Sequence, residues 1–275
     1  MKKSIKVFGH VVGNLITILI SLIVIIPLVV LFLNSFKTSA EANRMTLSLP
    51  KEWVIENYAV VIEQGKLISS FFNGLLYATC SVVLIVILVA LAAFVISRNQ
   101  KGVNRFLYYF IISGIAMPIN NVALMKVMQA LHIVNTRAGI ILLYAAINIP
   151  LSLFLAYGFI ETIPVEIDEA AVIDGCKPMQ MFIKVIAPLL KPIVSTLFVL
   201  DFMAVWNDFT MPLYYLNNSK KWPMTLAVYN FFGAFENSWN LVAADIILTL
   251  APVLLVFILG QKYIVGGVSA GSVKG

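Results

Sequence analysis

Two groups of polar residues interrupt an otherwise apolar sequence, and any chemistry of this chain has to reside there. The first group is the segment 161–192, whose opening half is acidic. The second is a pair of aspartates, Asp201 and Asp208, inside a long hydrophobic stretch. The acids of the first group are Glu166, Asp168, Glu169 and Asp174.

The aspartate pair is spaced for one face of a helix. Asp201 and Asp208 are seven positions apart, which corresponds to about two helical turns. Charged groups at membrane depth are costly and usually face the interior of a helix bundle or a water-filled cavity. The pattern leaves three interpretations open: a lined pathway, an adhesive contact between helices, or a proton or cation site.

Local signals divide the acidic segment into two short helices. Pro164 suits the first turn of a helix, and Gly175 suits its end in the left-handed conformation. The helix between them has about ten residues, which is too short to be stable alone in water, so it must dock against another surface. A second helix is predicted to begin near Pro178, and its apolar stripe is formed by Met179, Phe182, Ile183 and Ile186.

Two surfaces could receive this acidic loop: a partner protein, or the lipid interface as an amphipathic helix. On the lipid interface the acidic first helix would face an anionic inner leaflet, which opposes binding. We therefore expect the loop to dock on a partner protein.

The composition is that of a membrane protein. Hydrophobic residues make up 61% of the chain, charged residues only 12%, and the mean hydropathy is +0.96. A spanning helix needs roughly 20 mostly apolar residues, and such stretches fill nearly the whole sequence. We predict an all-α protein with six transmembrane helices and a single transmembrane domain, 1–275. The predicted spans are 11–33, 71–96, 106–131, 138–160, 193–216 and 241–260.

Orientation follows from the Lys and Arg residues of the short segments between spans. With the N-terminus inside, the inner segments carry more of these cations than the outer ones, and Arg98–Arg105 contains no acid. Both termini are therefore predicted to be cytoplasmic. The net charge of +6 reflects this topology, and no basic patch with interleaved aromatic residues points to nucleic acid.

Several other chemistries are excluded. Two cysteines, Cys80 and Cys176, cannot form a disulfide framework or a zinc site. The stretch from Gly266 to Ser272 has the glycine spacing of a phosphate-binding loop, but Ser272 stands where the lysine must be. We expect no metal site, no catalytic residue and no nucleotide hydrolysis on this chain.

The acidic loop resembles the EAA loop of ABC importer permeases. The residues that carry this likeness are Glu169, Ala170, Ala171, Asp174, Gly175 and Pro188, with Val185 and Ala187 as mild departures from the pattern. Other residues are similar to the sugar-importer branch of that family, specifically its maltose-type second permease. These are Asn57-Tyr58, Trp206-Asn207-Asp208-Phe209, Pro212-Leu213 and the ending from Gln261 to Gly275.

This resemblance implies the type I permease fold and a subunit of a machine in the bacterial plasma membrane. Its partners would be a homologous second permease, two cytoplasmic ATPase subunits that bind the ATP and Mg²⁺, an extracytoplasmic sugar-binding protein and membrane lipid. The chain itself would be neither an enzyme nor the holder of a cofactor. The C-terminal tail, Val268–Gly275, would reach between the ATPase subunits.

The resemblance also assigns roles to residues. The short helix would fit a groove of the ATPase, and the coupling residues would be Glu166, Asp168, Glu169, Ala170, Ala171, Asp174, Gly175 and Pro188. Aromatic faces, amides and carboxylates hold sugars, so a second set is expected along the translocation path for a di- or oligosaccharide. That set contains Trp206, Asn207, Asp208, Asp201, Asn120, Asn121 and Asn148.

A transporter driven by an ion gradient is the alternative function. It would use the intramembrane carboxylates of Asp201 and Asp208 as proton or cation sites. It would leave the acidic loop and the glycine-rich tail without a role, so we expect the ATP-driven importer.

Overall fold

The computed structural model describes residues 2–99, 101–231 and 238–272, and within these ranges the regular structure is entirely helical. The all-α architecture predicted from the sequence is therefore confirmed. In chain order the α-helices are α1 (Lys2–Ser35), α2 (Ser39–Ala42), α3 (Glu56–Gln64), α4 (Leu67–Arg98), α5 (Gly102–Ile112), α6 (Asn121–Ala130), α7 (Arg137–Ile160), α8 (Glu166–Ile173), α9 (Pro178–Met181), α10 (Ala187–Leu189), α11 (Lys191–Asn207), α12 (Thr210–Tyr215), α13 (Met224–Ala227) and α14 (Trp239–Ser272).

Among the described residues, four helices are long and apolar enough to cross a membrane. They are Gly13–Ser35 within α1, Leu67–Arg98, Arg137–Ile160 and Trp239–Lys262 within α14. Four of the predicted spans fall on these helices. A bent pair, Pro178–Leu189 and Lys191–Asn207, passes the same test when taken together, with an angle of 73° between its two parts.

The segment predicted as the third span, 106–131, is not one continuous helix. It consists of α5, a 3₁₀ turn at Ser113–Ile115, an irregular stretch and α6. Pro118 lies in the irregular stretch, where it has no backbone N–H to donate. Asn120 then caps α6, because its Oδ1 accepts hydrogen bonds from the backbone N–H groups of Val122 and Ala123. A proline followed by a capping amide therefore restarts the helix.

The segment predicted as the fifth span, 193–216, is also interrupted. Helix α11 ends at Asn207, the backbone of Asp208 is extended, and α12 begins at Thr210. Between α9 and α10 the chain forms a π turn at Phe182–Ile186, a wider turn than that of an α-helix.

The chain divides into two compact units, one formed by Met1–Ile68 with Ala227–Ala251 and the other by Ser69–Leu226 with Pro252–Gly275. In the first unit, the buried amide of Asn57 closes the end of α1. Its Nδ2 donates to the carbonyl oxygens of Ser35 and Lys37 at 2.8 and 2.9 Å, and its Oδ1 accepts from Asn240 at 2.9 Å. The amide thereby satisfies carbonyl groups that have no partner within the helix.

In the second unit, the core joins the long helices to the far end of the acidic loop. The loop contributes Ile186 and Leu190, which are as completely buried as the residues of the spans. Because they share one core with α4, α7 and α11, the end of the loop is fixed to the bundle. The fully or largely buried members from these helices include Ile85, Val89, Ala93, Leu153, Ala156, Ile160, Ile193 and Leu197.

The C-terminal tail was expected to contact partner subunits. Helix α14 continues without a break to Ser272. Val273, Lys274 and Gly275 lie outside the described residues.

A close approach of α11 and α14 depends on Gly260. A Cβ atom at this position would lie 2.6 Å from Cγ2 of Val199, so the short Val199 side chain or the two helices must shift. We predict that Gly260→Ala lowers the free energy of unfolding by about 1–3 kcal/mol, as overpacking does in other cores. Thermal denaturation of the protein in detergent measures this.

Two further variants make the measurement specific. Gly158→Ala on α7 is the matched control, because nothing lies within 4 Å of its added Cβ. Val199→Ala combined with Gly260→Ala should recover most of the loss. Equal stability of Gly260→Ala and Gly158→Ala would contradict the close packing.

Candidate functional site

The first short helix of the acidic loop forms as the sequence predicts. Glu166, Asp168 and Glu169 occupy its first turn, where negative charge is favoured by the helix dipole. Gly175 ends the helix with a φ of +79°. Its N–H donates to the Val172 carbonyl at 2.9 Å, and the N–H of Cys176 donates to the Ala171 carbonyl at 3.0 Å. These two bonds are the Schellman pattern, so the predicted left-handed glycine is confirmed.

Helix α8 presents two different faces. Asp168 and Ala171 are its buried residues. On the other side lie exposed acids and two exposed apolar side chains, Val172 and Ile173, of which Ile173 is 85% exposed. Sequence reasoning missed these two, although their position between acidic residues and the glycine is visible in the sequence. The remaining exposed members of the candidate set are Glu166, Glu169, Ala170, Asp174, Gly175 and Pro188.

The buried carboxylate of Asp168 forms an ion pair with a residue distant in sequence. Its Oδ2 lies 2.6 Å from Nε of Arg98, the last residue of α4. A second nitrogen of Arg98 donates to the carbonyl oxygen of Ile163 at 2.9 Å. In the sequence Arg98 was noticed only as an inner topological charge, because nothing local links it to Asp168.

The four residues of the apolar stripe predicted for the second short helix lie in two different environments. Phe182 packs against Phe94, with ring centroids 5.5 Å apart, and Ile186 is fully buried. Met179 and Ile183, in contrast, are about three-fifths exposed, at 60% and 59%. The stripe was drawn with α-helical spacing, but the π turn at Phe182–Ile186 has a longer period.

The two intramembrane aspartates do not share a helix face, since α11 ends one residue before Asp208. The prediction of a common face is therefore wrong. Asp201 is buried, and both of its carboxylate oxygens lie within 3.0 Å of Oγ of Ser152 on α7. This contact joins α7 to α11, as expected of a polar side chain that links helices.

Asp208 organises the break after α11. Its carboxylate accepts hydrogen bonds from the N–H of Met211 at 2.9 Å and from the hydroxyl of Tyr144 at 2.9 Å. It also accepts from the N–H of Thr210 at 3.2 Å. The residue therefore starts α12 and links it to α7. Its carboxylate is satisfied by these three donors within an apolar segment.

The neighbours of Asp208 have opposite environments. Trp206 is buried and stacks on Phe202, with centroids 5.6 Å apart, and meets the edge of Phe71. Asn207 is exposed, and the described part of the chain provides its side chain with no hydrogen-bond partner. Of this motif, Asn207 is the residue whose side chain is exposed.

The three remaining candidate asparagines each form hydrogen bonds with residues of the helices. Asn120 caps α6, as described above. The hydroxyl of Tyr215 donates to the backbone carbonyl oxygen of Asn121 at 3.0 Å. Asn148 donates to the carbonyl oxygen of Tyr144 one turn earlier on α7, at 2.8 Å. None of these bonds joins one predicted path residue to another.

The described residues contain no cluster of His, Cys, Asp and Glu side chains that could hold a metal ion. Cys80 is exposed and Cys176 is partly buried, and both are free thiols.

Comparison with known proteins decides which kind of protein this is. Residues 83–269 match the family described as "Binding-protein-dependent transport system inner membrane component". The chain belongs to this family. It is therefore a permease subunit of an ABC importer and a multi-pass protein of the bacterial inner membrane, and not an enzyme, since ATP hydrolysis in these transporters takes place on partner ATPase subunits.

Similar proteins cover nearly the whole permease. The probable starch degradation products transport system permease protein AmyC of Thermoanaerobacterium thermosulfurigenes is 33% identical over 96% of this chain and 98% of its own. The diacetylchitobiose uptake system permease protein NgcG of Streptomyces coelicolor is 31% identical, over 96% and 88%. The melibiose/raffinose/stachyose import permease protein MelC of Bacillus subtilis is 32% identical, over 91% of each chain.

Solved structures agree on the fold. A chain of a bacterial ABC transporter involved in the import of the acidic polysaccharide alginate superposes with a TM-score of 0.81. It is 22% identical and covers 94% of the permease and 96% of its own length. A chain of the inward-facing MetNI methionine ABC transporter gives a TM-score of 0.55 at 15% identity. The permease thus has the type I importer fold that the sequence resemblance implied.

The contact between Ser152 and Asp201 leads to a prediction about stability. Ser152→Ala removes the donor that faces both oxygens of a buried carboxylate, so it should lower the free energy of unfolding by about 1–3 kcal/mol. Thermal denaturation in detergent measures the loss. Ser195→Ala is the control, because that hydroxyl bonds only to the carbonyl oxygen of Lys191 in its own helix. A double variant that adds Asp201→Leu should recover stability; no recovery would show that the contact is not the cause.

Proposed function

We propose that this permease forms half of the translocation pathway of an ATP-driven carbohydrate importer, and that the loop 164–188 transmits the drive. Family membership supports the importer over the ion-driven alternative. In addition, hydroxyl groups of the protein donate to the carboxylates of Asp201 and Asp208. This argues against either carboxylate being a dedicated cation site.

The observation that carries the coupling proposal is the exposed face of α8. Val172 and Ile173 are 61% and 85% exposed beside the acids Glu169 and Asp174. A lipid surface would accept the apolar pair but would disfavour the acids. A protein groove can receive both, so the occupant that fits is an ATPase subunit.

The members of the candidate set divide by position. Glu166, Glu169, Ala170 and Asp174 are exposed and would contact the ATPase, and the small side chain of Ala170 would allow a close approach. Asp168 and Ala171 face the permease instead and would hold the helix in place. Gly175 and Pro188 would shape the two ends of the connection to α11.

The complete machine would contain a homologous second permease and two cytoplasmic ATPase subunits, which bind the ATP and Mg²⁺. An extracytoplasmic binding protein would deliver the substrate. Both termini of the permease and the loop 161–192 would lie on the cytoplasmic side. ATP would favour the closed ATPase pair, and the loop would pass this bias to the spans as a shift between two populations.

The translocation path would use the exposed amide of Asn207. Asn120 and Asn121 at the start of α6 and Asn148 within α7 would be further polar groups of the path. Asp201, Trp206 and Asp208 would shape the wall rather than meet the sugar. The substrate is proposed to be a di- or oligosaccharide. The names of similar permeases refer to diacetylchitobiose, to melibiose, raffinose and stachyose, and to starch degradation products.

The docking surface can be tested by charging its most exposed apolar residue. Ile173→Asp should reduce the affinity for the ATPase by roughly thirtyfold, the effect of removing a contact worth about 2 kcal/mol. The measurement is the amount of ATPase that co-purifies with a tagged permease. Leu49→Asp, an exposed apolar position between α2 and α3, is the control and should recover the ATPase normally. Normal recovery with Ile173→Asp would refute the docking face.

The substrate class and the path can be tested by uptake. Cells that express the complete system should accumulate labelled maltose or raffinose, and Asn207→Ala should lower this uptake by roughly fivefold, the loss of about one hydrogen bond. Asn104→Ala, outside the proposed path, should not change it. Uptake of glucose or glycerol phosphate in place of the larger sugars would overturn the substrate class; unchanged uptake by Asn207→Ala would remove this residue from the path.

A further inference from the structure

The ion pair between Arg98 and Asp168 joins two parts of the chain that have no local connection. Arg98 is the last residue of α4, and Asp168 lies on the buried side of α8. Their side chains are only 16% and 11% exposed, and the distance between Nε and Oδ2 is 2.6 Å. A pair that is sheltered in this way is less screened by water and salt than a surface pair.

Arg98 holds the beginning of the loop at two points. Besides the carboxylate of Asp168, its guanidinium binds the carbonyl oxygen of Ile163 at 2.9 Å. Ile163 lies in the turn between α7 and α8 and is itself buried. The planar guanidinium has donors in a fixed arrangement, so binding both acceptors sets the orientation of α8 relative to the end of α4.

Helix α8 has few other means of keeping this orientation. It contains eight residues, which is below the length at which a helix is stable alone. Asp168 and Ala171 are its buried residues, and the partly buried side chain of Ile167 packs against the core of the spans. These apolar contacts hold α8 against the bundle, whereas the ion pair is the directional polar contact that α8 makes through its own side chains within the described residues.

The covalent chain connects α8 to α7 on one side and, through α9 and the π turn, to α11 on the other. It does not connect α8 to α4, which ends at Arg98 seventy positions before Asp168. Without the ion pair, a movement of α8 would reach α4 only through non-directional apolar packing, that of Ile167 against the core and that of other helices. With it, α4 receives the movement directly.

We propose that Arg98 is a positioning residue for coupling: it fixes α8 to the inner end of α4, so that a displacement of the loop moves the α4 span together with α7 and α11. This rests on the proposed docking of α8 on an ATPase. Asp168 thereby acts as the permease-side anchor of the helix and not as a contact to the ATPase.

The test compares coupling with assembly in the complete complex. Arg98→Lys keeps the charge but replaces the two-point guanidinium by a single ammonium group. Sugar transported per ATP hydrolysed should fall by at least about fivefold, the lower end of usual coupling between sites. The amount of co-purified ATPase should stay within a factor of about two of the unchanged protein, which is the range of a surface substitution. Arg105→Lys is the matched control, an exposed arginine at the start of α5 that forms no ion pair within the described residues.

Charge reversal makes the test specific to the pair. Arg98→Asp and Asp168→Arg should each abolish coupled transport, and the two substitutions together should restore part of it. If Arg98 only stabilised the fold, every variant would lower the yield of complex and leave the transport per ATP of the surviving complex unchanged. That result, or the absence of any recovery in the double variant, would overturn the proposal.

Failure of this proposal is distinguishable from failure of the docking proposal. If Ile173→Asp prevents ATPase recovery while Arg98→Lys transports normally per ATP, α8 docks but is not positioned by Arg98. If Ile173→Asp has no effect on recovery, the docking face itself is wrong, and the positioning role of Arg98 falls with it.

Discussion

A helix of two turns cannot hold itself in place, and this constraint governs the cytoplasmic part of the permease. Helix α8 has eight residues, of which Asp168 and Ala171 are buried and Ile167 packs against the core, so the segments on either side of it must supply further stability. At one end Ile163 is buried and bound by Arg98; at the other, Ile186 and Leu190 enter the core of the spans. The loop is thus anchored on both sides of a segment that remains exposed.

Inside the apolar helices, two carboxylates are likewise bound by hydroxyl groups of α7. Ser152 faces Asp201 between two helices, and Tyr144 donates to Asp208 at a helix break. Such pairs remove the cost of a bare polar group in an apolar setting. They also mean that a carboxylate deep in a span is weak evidence of a transport site, whereas the exposed amide of Asn207 is a better candidate.

The sequence predicted those structural features that are caused by neighbouring residues, and not those that depend on distant ones. The end of α8 at Gly175 and the start of α9 at Pro178 follow from the conformational preferences of single residues, and both were predicted correctly. The long helices follow from composition over many residues. The partner of Asp168 could not be found, because a pairing across seventy positions leaves no periodic trace. The break at Asp208 could not be predicted, because the sequence alone does not distinguish an aspartate that starts a new helix from one on the face of a continuous helix.

The π turn at Phe182–Ile186 has a consequence for how such loops can vary. A π turn accommodates one residue more than an α-helical turn, so deletion of a single residue here could return the backbone to α-helical spacing. Each residue of an α-helix corresponds to a rotation of about 100° about its axis. In a regular α-helix an extra residue at this point would rotate α8 and α9 by that angle relative to α11, but the wider π turn takes up the residue within one turn. The loop can therefore change its length by one residue here while the permease keeps the direction in which it presents its exposed helix.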